Sequence, residues 1–400
     1  MMRLAIFGST GSIGRNTLRL LAHLKRGGEQ PGYALVALSG QNNLSLLAQQ
    51  ARSWQPQYLL IGQPCTAAKK ALFSGYNGEI IWGEQVLAEF AAGNSCDTLL
   101  LAISGSAALP ATYAAASTGK RLLLANKEAL VAAGELIVAA AGASNATLVP
   151  VDSEHNALWQ CLGMPHLPGK LAQAVTRLEL TASGGPFWNW SATEMCHASV
   201  AAACNHPNWR MGNKISVDSA TMVNKALELI EAHWLFAMHP DHLDVLVHPQ
   251  SLVHGLVHMR SGAVLAQLSL PDMRVALASA LFGTAAPSSG VSRLSLLDYQ
   301  NLNFYPPDNK RFAALPLVYQ AMRDGQDRCL CFDISNEVAN LAFREGRIPF
   351  GAIVETIDAV LQQSEATSLD CIEAVRQRQQ QLAELAHKVT ATRTTATSCL

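Results

Sequence analysis

The chain has no surplus of either charge: 29 Lys plus Arg stand against 30 Asp plus Glu in 400 residues. A nucleic-acid binder or a membrane-surface protein would carry a basic excess, so neither partner is expected. Paired cysteines are lacking. The nine present are an odd number without CxxC spacing, and only Cys329 and Cys331 stand two apart. That pattern fits a reduced, cytoplasmic protein and not a disulfide scaffold. No long apolar run survives uninterrupted: the most apolar stretch, residues 129–143, is broken by Gly134 and Glu135, so no membrane span is expected. The start, Met-Met-Arg-Leu-Ala-Ile-Phe-Gly, reads directly as a strand, and on this reading no signal or transit peptide precedes it. There are no internal repeats.

What is present suits two or three domains with real cores. Arg3 to Phe7 reads as a short strand, followed by Gly8-Ser9-Thr10-Gly11-Ser12-Ile13-Gly14 and an amphipathic run from Asn16 to Leu24. Strand, glycine turn and helix form the context of a dinucleotide-binding turn, although the spacing is GxxGxxG and not GxGxxG. Glycines let the backbone approach a pyrophosphate, and the helix N-terminus offers open N–H groups. The plainer alternative is a tight turn with no ligand. Further apolar strands at Ala34–Leu38, Tyr58–Ile61, Thr98–Ile103 and Arg121–Leu124 alternate with Ala-rich helical stretches, predicting a Rossmann-type doubly wound parallel sheet. The second strand ends in Ser39-Gly40-Gln41-Asn42-Asn43, with no acid to repel a 2′-phosphate, which favours NADP over NAD.

The middle of the chain carries the chemistry. Asp152 and Glu154, in Val-Asp-Ser-Glu-His-Asn, follow an apparent strand end; two apart in an extended chain, their carboxylates would point one way. Asn224 and Glu228 are four apart in a helical pattern and share a face. Carboxylates alone make an oxygen-donor site suited to Mg²⁺ or Mn²⁺. Lys225 beside them suits a phosphate. Ser183, before two glycines, offers a hydroxyl and backbone N–H groups to phosphate oxygens, or marks an ordinary Gly-Pro turn. Residues 205–212, with Trp209 and Met211 among proline, glycine and polar residues, read as a lid. Asp218, Ser219 or Thr221 are candidate caps for the helix bearing Asn224.

Several motifs occur in order: Gly-Ser-Thr-Gly-Ser-Ile-Gly (8–14), Ala-Asn-Lys-Glu (125–128), Pro-Val-Asp-Ser-Glu-His-Asn (150–156), Thr-Ala-Ser-Gly-Gly-Pro-Phe (181–187) and His-Pro-Asn-Trp (206–209). Val-Asp-Ser-Ala-Thr-Met-Val-Asn-Lys (217–225), His-Pro-Gln-Ser (248–251) and Pro-Asp-Met-Arg (271–274) follow. With these motifs the chain resembles the 1-deoxy-D-xylulose 5-phosphate (DXP) reductoisomerase family from residue 3 to about residue 350. The resemblance implies NADPH- and divalent-metal-dependent rearrangement and reduction of DXP to 2-C-methyl-D-erythritol 4-phosphate, in non-mevalonate isoprenoid biosynthesis. It implies a small phosphorylated sugar as substrate, and a homodimer is expected.

By the same resemblance, Asp152, Glu154 and Glu228 would ligate Mg²⁺ or Mn²⁺, with Co²⁺ also accepted. Lys127, Ser153 and Glu154 would border the reacting carbons, and Ser183, Ser219, Asn224 and Lys225 would hold the phosphate, with His206, Trp209 and Met211 on the closing lid. The catalytic set would be Lys127, Glu154, His206 and Lys225. Thr10, Gly11, Ser12, Ile13, Gly40, Gln41, Asn42, Asn126, Glu128 and Gly212 would line the NADPH site. Departures from the family pattern stand at Gln41, Trp188, Arg210, Asn213, Ala226 and Ser269, none of them in the metal triad. Two alternatives stay open: a related NADP-linked reductase of another sugar phosphate, and a catalytically silent nucleotide-binding paralogue.

The expected architecture is a cofactor domain over 1–150 and a central α+β catalytic domain over 151–282 with a lid near 183–213. A linker over 283–310, a helical bundle over 311–390 and a disordered tail over 391–400 complete it. Helices are expected at Phe312–Met322, Ser335–Glu345, Phe350–Gln363 and Asp370–Val389, with Gly346 as a C-cap.

Overall fold

The structure is a computed structural model that describes residues 1–28, 32–164, 174–209 and 212–393. It divides into two compact units, Met1–Ala129 with Ile137–Lys170 and Asp272–Arg293, and Leu130–Leu136 with Leu171–Pro271 and Leu294–Leu400.

The first unit is built on seven strands: β1 (Met2–Phe7), β2 (Tyr33–Gly40), β3 (Tyr58–Ile61), β4 (Glu79–Trp82), β5 (Thr98–Leu101), β6 (Arg121–Leu124) and β7 (Thr147–Pro150). Their order is β4-β3-β2-β1-β5-β6-β7, and every neighbouring pair is parallel. A parallel sheet is covered on both faces, which is why its central strands read as unbroken apolar runs. Leu4, Ala5, Ile6 and Phe7, like Leu99, Leu100 and Leu101, are wholly buried. The strand order reverses at β1, where β2 lies to one side and β5 to the other. In such sheets ligands bind beyond the strands' carboxyl ends at that reversal. The turn after β1 stands there.

The second unit holds a four-stranded sheet, β8 (Val175–Ala182), β9 (Leu243–Val247), β10 (Val253–Met259) and β11 (Val264–Leu268), in the order β11-β10-β8-β9. β8 runs parallel to β9 and antiparallel to β10. The helix Val223–Phe236 packs on β8 and β9, and against the helices Ala314–Asp324 and Gln326–Arg344. The helices Ala352–Gln363 and Ile372–Thr392 pack on Gln326–Arg344 and on one another. Gly346, at φ +71°, ends Gln326–Arg344 as expected, with Gly346 N–H donating to Phe343 O and Arg347 N–H to Ala342 O.

The consecutive domains expected from sequence give way to interrupted units. Residues 272–293 return to the first unit because the helix Met273–Phe282 packs on Ser12–Arg26 and Ser153–Cys161, and Arg121 donates to Ala280 O at 2.6 Å. The central sheet and the C-terminal helices cluster together. The helix Glu128–Ser144 breaks at Ala133 (φ −147°, ψ 37°), within its stretch 130–136 that belongs to the second unit. There a Cβ on Gly134 would fall 2.3 Å from the Trp234 ring, so the glycine permits that contact. The last helix runs to Thr392, into the segment expected to be a disordered tail; residues 394–400 lie outside the described residues. Among the described residues, no helix is long and apolar enough to cross a membrane.

Candidate active site

In the first unit, the β1 turn is shaped by glycine. Gly8 has φ +85°, and a Cβ there would fall 2.3 Å from Ala102 O; one on Gly14 would fall 2.4 Å from Gly8 O. Gly8 N–H donates to Ser39 Oγ at 2.9 Å and Ser9 N–H to Ser39 O at 2.9 Å, tying the turn to the end of β2. Gly11 is the N-cap of Ser12–Arg26 and no side chain caps it, so the N–H groups of the first turn remain for a ligand. Thr10, Gly11, Ser12 and Ile13 lie on this turn, and Gly40 approaches Thr10 so closely that a Cβ on it would sit 3.4 Å from the threonine methyl. Gln41 and Asn42 follow, exposed, with Gln63 Nε2 donating to Gln41 O at 2.7 Å.

After β6, Asn126 is buried. Its amide donates to Ile103 O at 2.7 Å and to Glu128 Oε2 at 2.8 Å, and its Oδ1 accepts from Ala129 N–H at 2.9 Å. The turn, the open helix start and the acid-free end of β2 fit an NADP-type dinucleotide. Gly212 belongs to the second unit, as N-cap of the helix Asn213–Ala220.

The carboxylates of the first unit are placed differently from the extended arrangement expected. β7 ends at Pro150; Asp152 is the N-cap of Ser153–Cys161 and Glu154 lies in that helix's first turn. A helix start favours acids through its dipole, and this overrode the strand geometry. Lys127 Nζ approaches Asp152 Oδ2 at 2.8 Å, and His155 Nδ1 stands 3.9 Å from Asp152 Oδ1. Burial pushes the Asp152 carboxyl up, but the Lys127 ammonium, and then His155, outweigh it and hold it well below the usual range. Ser153 donates its hydroxyl to Glu154 Oε2. An ionised carboxylate with a second acid two residues on is a donor set for a hard cation.

In the second unit, Ser183 Oγ lies 2.9 Å from His206 Nε2 and accepts from Gly185 N–H at 3.1 Å. His206 Nδ1 accepts from Asn208 N–H (3.2 Å) and Trp209 N–H (2.9 Å). Two donors at Nδ1 require the ring proton on Nε2, so His206 donates to Ser183, and the serine hydroxyl proton is left to point outward. Burial pushes the His206 ring down to about 4, so it is neutral at pH 7. Gly185 has φ +68°, and a Cβ on it would fall 2.6 Å from Ser219 O; the Ser183 turn and Ser219 therefore abut.

Asn224, Lys225 and Glu228 begin the helix Val223–Phe236, entered through Met222 at φ 62°. Asn224 Nδ2 donates to Glu228 Oε1 and Lys225 Nζ to Glu228 Oε2, with the lysine and the acid both buried. The shared face expected for Asn224 and Glu228 is present. The capping expectation does not hold: Met222 is the N-cap, Asp218 and Ser219 lie inside Asn213–Ala220, and Thr221 is the C-cap of that preceding helix, its Oγ1 accepting from Val223 N–H at 3.3 Å.

Trp209 stands edge-on to His254 at 6.4 Å, and Met211 lies outside the described residues. Sequence reading assigned no role to Asn208. Its amide donates to Pro249 O at 2.6 Å and Ser251 Oγ at 2.9 Å, fastening the His206–Trp209 turn to the His-Pro-Gln-Ser turn. Both motifs were visible, but nothing in them said that they meet.

Comparison with known proteins accounts for these motifs. Three family profiles match: 1-deoxy-D-xylulose 5-phosphate reductoisomerase over residues 4–134, its C-terminal domain over 148–236, and the DXP reductoisomerase C-terminal domain over 268–385. The 1-deoxy-D-xylulose 5-phosphate reductoisomerase of Bordetella avium is 46% identical over 369 residues, 90% of each chain. The chain belongs to the DXP reductoisomerase family. The namesake protein of Laribacter hongkongensis is 42% identical, over 91% of this chain and 92% of its own. A solved DOX-P reductoisomerase in complex with NADPH, fosmidomycin and magnesium superposes with a TM-score of 0.89 at 37% identity, covering 98% of both chains. The Zymomonas mobilis reductoisomerase in complex with NADPH gives 0.88 at 35% identity, over 97% of this chain and 99% of its own.

Proposed function

We infer that this chain is an NADPH- and divalent-metal-dependent reductoisomerase that converts DXP to 2-C-methyl-D-erythritol 4-phosphate. The observation that carries the reading is kinship along nearly the whole chain, 46% identity over 90% of it. Magnesium and NADPH accompany the solved relative. Bound here, the cation would polarise the substrate's carbonyl as the skeleton rearranges, and NADPH would supply the hydride that reduces the resulting aldehyde.

The chain's own residues do the rest. Asp152, Glu154 and Glu228 would hold the cation; Lys127 keeps Asp152 ionised, and Lys225 and Asn224 orient Glu228. Ser183, Ser219, Asn224 and Lys225 would hold the phosphate. His206, neutral and donating through Nε2, orients the Ser183 hydroxyl so that its proton is available to a phosphate oxygen. Trp209 and Met211 would cover the substrate and exclude water, and the β1 turn with Asn126 and Glu128 would seat the cofactor. A homodimer working in the cytoplasm completes the reading. The edge strand β11 carries no charged residue, and its Val264 and Leu265 are 48% and 43% exposed, which supports self-pairing. Eight cysteines in the described residues are free thiols, as a reducing compartment would leave them.

The test follows NADPH absorbance with DXP and Mg²⁺ or Mn²⁺, with EDTA, and in Glu228→Gln. Turnover that both EDTA and the substitution abolish is expected. Wild-type protein that binds NADPH yet leaves DXP untouched would instead favour a different sugar phosphate. Failure to bind NADPH would favour the silent paralogue.

A further inference from the structure

Asp218 sits immediately before Ser219 and is buried within the second unit. Its residue is 2% exposed. Asn336 Nδ2 donates to Asp218 Oδ1 at 2.8 Å and Asn340 Nδ2 to the same oxygen at 2.7 Å, and Lys214 Nζ lies 3.3 Å from Oδ2. Asn336 and Asn340 are one turn apart on Gln326–Arg344, and both are wholly buried. Asn340 is itself held: its Oδ1 accepts from Arg344 Nε at 2.7 Å, and its amide also donates to Lys214 O at 3.1 Å.

We propose that Asn336 and Asn340 are positioning residues for the substrate phosphate, acting through Asp218 on Ser219 and on the Ser183–Gly185 turn. A carboxylate taken this far from water needs its hydrogen bonds, so Asp218 is a strong anchor for the helix Asn213–Ala220. Its backbone is continuous with Ser219, and Ser219 O is the atom against which Gly185 packs without room for a Cβ. A shift of that helix therefore moves both hydroxyls of the phosphate cradle together. The two asparagines touch no substrate. Their role is to turn a helix of the C-terminal bundle into the reference surface for the cradle. The inference rests on the phosphate assignment made above for Ser183 and Ser219.

The experiment compares wild type with Asn336→Ala and Asn340→Asp. It measures Kd for DXP by calorimetry, Kd for NADPH by fluorescence, and KM and kcat. Asn336→Ala should weaken DXP binding about tenfold, the scale of one hydrogen bond to a charged group, and leave NADPH binding within about twofold. Asn340→Asp sets two carboxylates face to face and should weaken DXP binding further. DXP binding unchanged in a folded Asn336→Ala would overturn the proposal. So would a parallel loss of DXP and NADPH binding. Wild-type protein that binds no DXP overturns the functional reading itself, and the positioning role with it, whereas intact wild-type binding with unaffected variants sinks the positioning role alone.

Discussion

Protonation of His206 is the perturbation whose consequence follows most directly from the geometry. Both backbone N–H groups of Asn208 and Trp209 point at Nδ1, so a second ring proton has nowhere to go without breaking both bonds. The folded ring titrates at about 4 against an ordinary 6.5, because burial disfavours its charged form. That gap corresponds to at most ~3 kcal/mol, and less for a ring that keeps part of its surface in water. Since the folded value is the lower one, the contribution is fully present above pH 6.5 and is lost as pH falls from 6.5 toward 4.

The His206–Trp209 turn should therefore become easier to open over that window, and the Ser183 hydroxyl should lose its orientation as the ring charges, toward pH 4. The substrate's own phosphate titrates near pH 6, so activity profiles mix two events. Nitrogen-15 NMR of the imidazoles in ligand-free protein separates them: His206 is expected as the Nε2–H tautomer, neutral down to pH 5. An Nδ1–H tautomer, or titration near 6.5, would refute the reasoning. His206→Gln, which keeps a donor and an acceptor, should flatten the loss of DXP affinity below pH 5, where the ring begins to charge.

Lys225→Met removes the ammonium from a buried carboxylate and should cost about 3 kcal/mol or more in urea unfolding, because Glu228 is left as a buried charge. A change below ~1 kcal/mol would show that the pair adds nothing to stability. Val264→Lys on β11 places a charge on the uncharged edge strand and should convert a dimer to monomer by sedimentation. A wild-type monomer, or an undisturbed variant dimer, would remove β11 from the association.

Much of the first unit was legible because a parallel strand buried on both faces is an unbroken apolar word; Thr98–Leu101 and Arg121–Leu124 need no partner to be read as strands. β4 was missed: Glu79–Trp82 is short and only partly buried, so its apolar pattern is weak. β9 was missed although Leu243–Val247 alternates between buried and half-buried positions, since five residues of alternation compete poorly with turn signals nearby. The start of the helix Gln326–Arg344 was placed nine residues late, at Ser335, because Asp327, Arg328, Asp333 and Asn336 blur its apolar period. Those polar residues are buried or bonded to other helices, a placement that only packing explains.

By itself, the sequence determined the identities of the donors, the order of the motifs, the glycine turn after β1 and the class of the first sheet. These are local properties: a turn needs glycine where φ is positive, and a strand or helix declares itself through the period of its burial. Tertiary structure decided what those donors do. It placed Asp152 at a helix start against Lys127, set the His206 proton on Nε2, buried Glu228 under Lys225, and brought Asn336 and Asn340 to Asp218 from 118 and 122 residues away. A side chain's charge, tautomer and orientation depend on the groups that replace its water, and distant segments supply those groups only once the chain has packed.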